Sequence, residues 1–455
     1  MQQGEHSLTN EYNFQIGDLL MASTYLTSGN LSSAGNQKKW TISFWVKRAK
    51  LGVTQGILDY SVNSTNYYNF TFKSTDGLTM FNNDGGTVSY ELEPSMKFRD
   101  TSGWYHIVHQ YDSEQATESN RAKLWVNGVQ QSSWTNENYP SQGANTKIPN
   151  SGYPINIGRQ YRANTNVQYF DGSLSHFHFC DGYAYSASDF GQTDANGVWT
   201  IKTSPSVTYG TNGFFILKDG NSVTDQSGNS NNFTVAGGTL TNTEDSPSNV
   251  FATFNPLWSL DNEGSYSNGN TTWSSSSSNA WYQGMGTLAF SSGKYYWEVK
   301  VTGSTNVDKS TIGICGVDAG VQTGQLQDKT PSVFFKNEDG GEMRVNAVTG
   351  TDDYGTFAQN DIMGIAVDMD SLTMSLYKNG TILVNAHDIS GIGSGSVMTP
   401  ATMHYNQNTH QYNFGNGYFG TTAVASAGTN ASGNGIFEYD VPTGYTALST
   451  KGLNL

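Results

Sequence analysis

From Trp40 almost to the C-terminus, apolar and polar side chains alternate in short runs broken by Gly, Asn, Asp, Ser or Pro. The breaks fall at spacings of about 8 to 12 residues, the rhythm of short antiparallel strands joined by turns. Thr41–Lys47 places Ile42, Phe44 and Val46 on one face, because successive strand side chains point to opposite sides. Trp104–Tyr111 and Ala122–Asn127 read as further strands, the latter closed by Asn127-Gly128, a two-residue hairpin signal. In the second half the same pattern marks Lys294–Val301, Thr311–Val317, Ile362–Val367 and Thr373–Tyr377, and Asn379-Gly380 turns the last of these into Thr381–Val384. No amphipathic helix of useful length interrupts the strands, and no internal repeat points to a solenoid or propeller. Each sheet must bury one face, so the pattern predicts an all-β chain of two antiparallel β-sandwich (jelly-roll) domains in tandem.

At 455 residues the chain exceeds one ordinary core. The first sandwich is placed at 1–238, with a short segment to about Asn30 preceding its strands. A polar, Pro-bearing linker follows at 239–256 and the second sandwich at 257–455, whose Ser274–Ser278 run reads as a loop. With 51 Gly, 26 Tyr, 22 Phe and 10 Trp, and only 13% charged residues, the composition favours strands and turns over helices. A net charge of −15 opposes nucleic acid, whose binding needs clustered Lys and Arg. Cys180 and Cys315 fall in different halves and imply no disulfide framework, as in a reducing compartment. The start, Met1-Gln-Gln-Gly-Glu-His6, lacks the pattern of an export signal, no apolar run is long enough to cross a membrane, and the Asn-x-Ser/Thr sequons reflect composition. No nucleic acid and no membrane insertion are expected.

Trp40–Lys47, Gly103–Val108, Lys123–Gly128, Ile155–Arg159 and Phe170–Ser175 occur in the order seen in concanavalin-A-like, laminin-G-like sandwiches, which the first unit resembles. Asp181-Gly-Tyr-Ala-Tyr185, Asp189–Asp194, Gly197-Val-Trp199 and Asp225–Phe233 look like a version of that domain common in marine phage proteins. The second unit resembles a SPRY domain through Gly293–Val299, Ile312–Val317, Asp361–Asp368 and Leu376–Gly380, and Val441–Leu448 is similar to the closing segment of phage relatives. The resemblance implies a structural virion protein, a tail-fibre, tail or capsid appendage assembled in the host cytoplasm. Its implied partners are other virion proteins, further copies of itself, and a host-surface glycan or protein. A decoration protein that binds only virion subunits, or a polysaccharide depolymerase, are the alternatives.

Glycosidases on this fold place paired carboxylates as Glu-x-Asp-x-x-Glu or close to it, and that motif is absent. Glu91 and Glu93 share a strand face, but Pro94 marks the strand end and no third acid is near, so no catalytic residue is assigned. His176 and His178 share a face and offer two metal ligands or, on the reading preferred here, two outward or interface histidines of an edge strand. His106 and His109 fall on opposite faces. The polar loop Asp225–Asn232 has oxygen side chains at alternating positions but Ala236 where a calcium loop carries its terminal Glu, and reads as an Asx turn. Laminin-G-like relatives bind calcium at the sandwich rim, so the resemblance keeps Asp181 and Asp225 as metal candidates and Ca2+ as the candidate ion, with no other cofactor expected. Trp134, Tyr139, Tyr161 and Tyr169 stand among Asn and Gln, the chemistry of sugar contact, of ordinary packing, or of a subunit interface.

Overall fold

The structure is a computed structural model and describes residues 11–14, 24–162, 166–218, 223–258, 264–275, 280–303, 306–321 and 324–455. The fold is nearly all-β, as expected, and falls into two compact units. One unit holds Met1–Asn242 and Ser246–Ser248, the other Thr243–Asp245 and Asn249–Leu455.

In the first domain, one sheet runs in the order Val129–Gln130, Ala122–Val126, Tyr105–Asp112, Lys39–Arg48, Gly172–Asp181, Glu11–Phe14, Leu240–Thr243, with Phe214–Ile216 also paired to Gly172–Asp181. The facing sheet runs Trp134–Asn138, Thr87–Pro94, Leu78–Asp84, Asn66–Phe72, Gln55–Asn63, Pro154–Ile157, Tyr25–Asn30, Thr234–Ala236. The alternation visible in the sequence decides what lies between them. Ile42, Phe44 and Val46 meet Tyr68, Phe70 and Phe72, all buried. Trp40 stacks on Tyr111 with centroids 5.1 Å apart, and Phe44 on Phe177 at 4.9 Å. Each such aromatic buries enough apolar surface to contribute roughly 1.5–3 kcal/mol.

Residues 182–213 leave the first sheet and fold back over its outer face. Tyr185, Ala187, Phe190, Trp199 and Tyr209 pack on Val108, Trp125 and Cys180 there. The short helix Ala187–Phe190 is held by a capping box, in which the Asp189 carboxylate accepts the Ser186 backbone N–H at 2.8 Å.

In the second domain, one sheet runs Ser265–Ser267, Thr272–Ser275, Asn408–Asn413, Lys294–Thr302, Ile362–Asp368, Thr373–Lys378, Thr381–Asp388. The other runs Trp281–Met285, Met398–Tyr405, Ser310–Gly316, Ser332–Lys336, Glu342–Val345, Val348–Thr349. Trp273, Trp297, Ile312, Phe335, Ile365 and Tyr412 belong to the core between them.

Three segments differ from expectation. Glu11–Phe14 and Tyr25–Asn30 are strands of the first sandwich and not a preceding segment; Tyr25–Asn30, polar as it is, gains ladders on both sides, with Pro154–Ile157 and Thr234–Ala236. The span 239–256 is no exposed linker: Leu240–Thr243 is a strand, and Phe251 and Phe254 are 1% and 0% exposed within the second domain. Ser274 and Ser275 end the strand Thr272–Ser275, while Ser276–Ser278 lie outside the described residues.

Candidate functional site

The second sheet of the first domain carries its chemistry on the outward face. Inward Tyr68, Phe70 and Phe72 leave Tyr67, Asn69 and Thr71 facing out, and the neighbouring strand inverts the usual rule: Leu78 and Met80 point inward while Phe81, out of phase, points outward. Pairing aligns these positions in one row across the strands, Asn156, Asp59, Asn69, Phe81, Glu91 and Asn138. A groove of about 340 Å³ opens over the middle of this row, with Asn69, Thr71, Thr79, Phe81 and Glu91 as its floor and Lys73, Gln160 and Gln168 among its walls.

Phe81 is half-buried, and Tyr67 stacks beside it at 5.7 Å and 21°. The amides around it are fixed by their neighbours. Asp59 accepts the Asn69 amide and the Ser61 hydroxyl, and Gln160 Nε2 donates to Asn69 Oδ1 at 2.8 Å. Thr79 Oγ1 reaches Glu91 Oε1 at 3.4 Å, and the buried Thr71 hydroxyl has no hydrogen-bond partner. At one end Lys73 Nζ meets Glu93 Oε2 at 2.7 Å, and Lys97 adds a second cation at 3.7 Å. An aromatic ring flanked by pre-oriented amides and hydroxyls suits a flat, polyhydroxylated ligand, the ring taking its C–H face and the amides its hydroxyls.

The residues singled out from sequence do not converge on one place. Glu91 enters the groove. Glu93 shares its face but is 3% exposed and is neutralised by two lysines. Trp134 and Tyr139 lie at the sheet's outer strand, edge to face at 6.4 Å and half-buried against the core. Tyr169 stands at the other side, 6.3 Å from Tyr25, whose ring carries the Arg159 guanidinium at 3.6 Å. Tyr161 lies in the strand Arg159–Arg162, but its side chain falls outside the described residues. Asp181 accepts the backbone N–H groups of Asn36 at 2.7 Å and Asn212 at 3.0 Å. Asp225 accepts those of Phe215, Ser227 and Asn231 at 2.8, 2.9 and 2.8 Å, the geometry of an Asx turn. Among the described residues no three His, Cys, Asp or Glu side chains gather as a metal centre.

The histidine reading needs correction. Gly172–Asp181 is interior to its sheet and not an edge, and His176 and His178 are buried and not outward, because Phe190 and Tyr209 of the 182–213 cap cover His178 and Phe215 lies against His176. A bulge between Ser175 and His178 puts His176 at φ 47°. His106 and His109 do point to opposite faces: His109 takes a 2.6 Å bond with the Tyr90 hydroxyl in the core, and His106 lies under the cap.

Phe81, Asn69 and Gln160 escaped the sequence reading. Their one signal was Phe81 itself, an aromatic in the polar phase of Leu78-Thr-Met-Phe-Asn-Asn-Asp84.

Residues 20–189 match the family described as the concanavalin A-like lectin/glucanases superfamily, and residues 294–417 match the SPRY domain. The chain thus contains a laminin-G-like, lectin-like region and a SPRY region, which suggest binding of carbohydrates or proteins. Among solved structures, domains LG4-5 of the mouse laminin alpha1 chain are 12% identical, covering 91% of this chain and 90% of that one at a TM-score of 0.33. The SPRY domain of human HERC1 is 17% identical over 31% of this chain and 87% of that one, at 0.26. The CBM40 of a Ruminococcus gnavus sialidase, solved with α2,3-sialyllactose, is 18% identical over 32% and 87%, at 0.24. No curated protein matches the sequence.

Proposed function

We propose that the chain is an adhesion protein that holds a carbohydrate on the outer face of its first domain without chemical turnover. The observation that carries this reading is the outward Phe81, set in register between Asn69 and Glu91 over a groove with an unpartnered Thr71 hydroxyl. The phage-like segments Asp181–Trp199, Asp225–Phe233 and Val441–Leu448 support a virion appendage as its setting, with other virion proteins and further copies of the chain as partners and a host-surface glycan as target.

A glycan array probed with the full chain tests the binding reading. Discrete positives are expected, with Phe81→Ala about tenfold weaker at an unchanged melting temperature, the loss of one stacking contact. An array blank for the wild type, or positives indifferent to Phe81→Ala, would overturn it. Mass spectrometry of purified particles tests the setting, and particles lacking the chain would rule it out.

A further inference from the structure

Beneath the 182–213 cap of the first domain lie His106 and His178, exposed by 1% and 2%, with His176, exposed by 1%, buried beside them against Phe215. His106 stacks on Trp45 of the sheet at 4.7 Å and faces Trp199 of the cap at 5.9 Å. An indole N–H can only donate. Its 2.9 Å bond to Nδ1 therefore makes that nitrogen a bare acceptor, and the ring's single proton sits on Nε2, 3.0 Å from Ser43 Oγ. The bond exists only while His106 is neutral. A proton on Nδ1 would point at the indole N–H and replace attraction with repulsion.

Trp199 is clasped as well as bonded. A Cβ on Gly128 or on Gly191 would come within 2.5 Å of its ring, so the indole fits only where both residues are glycine. The other two histidines repeat the theme. His178 Nδ1 pairs with the Tyr209 hydroxyl of the cap at 2.9 Å, and its ring stacks on Phe215 at 3.9 Å. His176 Nδ1 meets Ser175 Oγ at 2.7 Å, while its buried Nε2 has no partner.

The charged and titratable neighbours offer an imidazolium little. Lys47 lies further along the strand of Ser43 and Trp45, and Lys218 stands over the Phe215 ring at 5.5 Å. On the cap are Tyr185, Asp189, Lys202 and Tyr209; the Asp189 carboxylate is engaged by Ser186. Cys180 sits in the same apolar cluster. Among the described residues, none of the bonds reaching the three rings comes from a carboxylate. Burial holds His106 and His176 down to about 3, the Lys218 charge adding to it at His176, and it pushes His178 well below the ordinary imidazole range.

We propose that His106 is an acid-sensitive latch: protonation of its Nδ1 expels Trp199 and lifts the 182–213 cap, baring the apolar sheet face of Trp45, Val108, Trp125 and Cys180. The sign follows from the bonds. The closed cap holds neutral rings and the open one ordinary imidazoles, so closure is favoured above about pH 6.5 and lost below it. Each imidazole then shifts the closed-to-open ratio by about 30-fold at pH 5 and about 300-fold at pH 4, and the two that meet the cap, acting together, by roughly 10³ at pH 5.

Cys180 is a built-in reporter, and Cys315, buried in the other domain, is its control. The full chain is labelled with 4,4′-dithiodipyridine, which reacts with thiols in acid, between pH 7.5 and 4.5, and each rate is normalised to the denatured chain at the same pH. Cys180 is expected to react at least tenfold faster at pH 5 than at pH 7.5, with Cys315 unchanged and amides of 66–94 still protected from hydrogen exchange. In His106→Gln, whose amide oxygen accepts from the indole but does not titrate, the acceleration shrinks by at least threefold. A flat Cys180 rate down to pH 4.5, equal acceleration in a folded His106→Gln, or loss of protection at 66–94 at the same pH would overturn the latch. Should His106→Gln not fold, the wild-type rates with the 66–94 protection still decide the matter.

Discussion

Arg48 has no exposed surface, and its two terminal nitrogens are answered locally while its buried Nε has no hydrogen-bond partner. Its Nη1 donates to Asp76 Oδ1 at 3.2 Å and to the Phe98 carbonyl at 2.6 Å, and its plane lies over the Phe72 ring at 4.5 Å. Burial alone would raise the Asp76 carboxyl, but the Gly52 N–H and the Arg99 and Arg48 guanidiniums hold it below the usual range. Asp76→Ala leaves Arg48 buried without its counter-ion and is expected to cost about 3–5 kcal/mol in chemical denaturation. Asp181 and Asp225 differ in kind, because backbone N–H groups already occupy their oxygens. Calcium must displace those donors to bind there, so millimolar calcium or EDTA is expected to leave the first domain's melting temperature within about 1 °C, a shift of under ~0.5 kcal/mol. A calcium-dependent rise of several degrees would restore the rim as a metal site.

The Lys294–Thr302 strand buries both faces. Trp297, Val299 and Val301 enter the core, while Tyr296 and Glu298 face outward beneath the segment that carries Phe437 and Val441. Glu298 holds that segment by accepting the backbone N–H groups of Glu438 and Tyr439, each at 2.9 Å, with Tyr296 and Asn413 as further donors at 3.2 and 3.3 Å. Desolvation outweighs these donors and pushes its carboxyl up to about 7. A raised acid binds its proton more tightly in the fold than in the unfolded chain. Its contribution, about 3 kcal/mol, is therefore complete below pH 4.5 and fades as pH rises through 7. In the same domain buried His404, held down to about 4, and His410, pushed well below its ordinary value by burial, act oppositely and lose stability as pH falls below 6.5. Glu298→Gln is thus expected to make the domain's stability fall more steeply between pH 7 and 4.5 than in the wild type, measured by urea denaturation. An unchanged slope would place Glu298 outside this balance.

Each of the two compact units has its own core, so each is a folding unit in its own right. Separate fragments 1–242 and 243–455 are expected to fold cooperatively, and calorimetry of the whole chain to resolve into their two transitions. A fragment that stays unfolded would show that the other half supplies part of its core. Six histidines, His106, His109, His176, His178, His404 and His410, are buried. Burial lowers all six, so acid weighs on both domains below about pH 6.5.

The sequence by itself determined the strand content, the two sandwiches, the families they resemble and the inward faces, since side-chain alternation is local and a one-residue slip would turn every apolar residue to solvent. It also held the Asx turn at Asp225, whose donors Ser227 and Asn231 lie two and six residues on, but not the Phe215 N–H that reaches it from ten residues back. It did not hold the groove, because Asn69, Phe81, Glu91 and Gln160 come from separate strands and only sheet register aligns them. Nor did it hold the burial of His176 and His178, whose spacing looks alike on an edge strand and on an interior one. Their surroundings depended on the cap laid across the sheet and on Phe214–Ile216 pairing beside them, long-range contacts that no local pattern encodes.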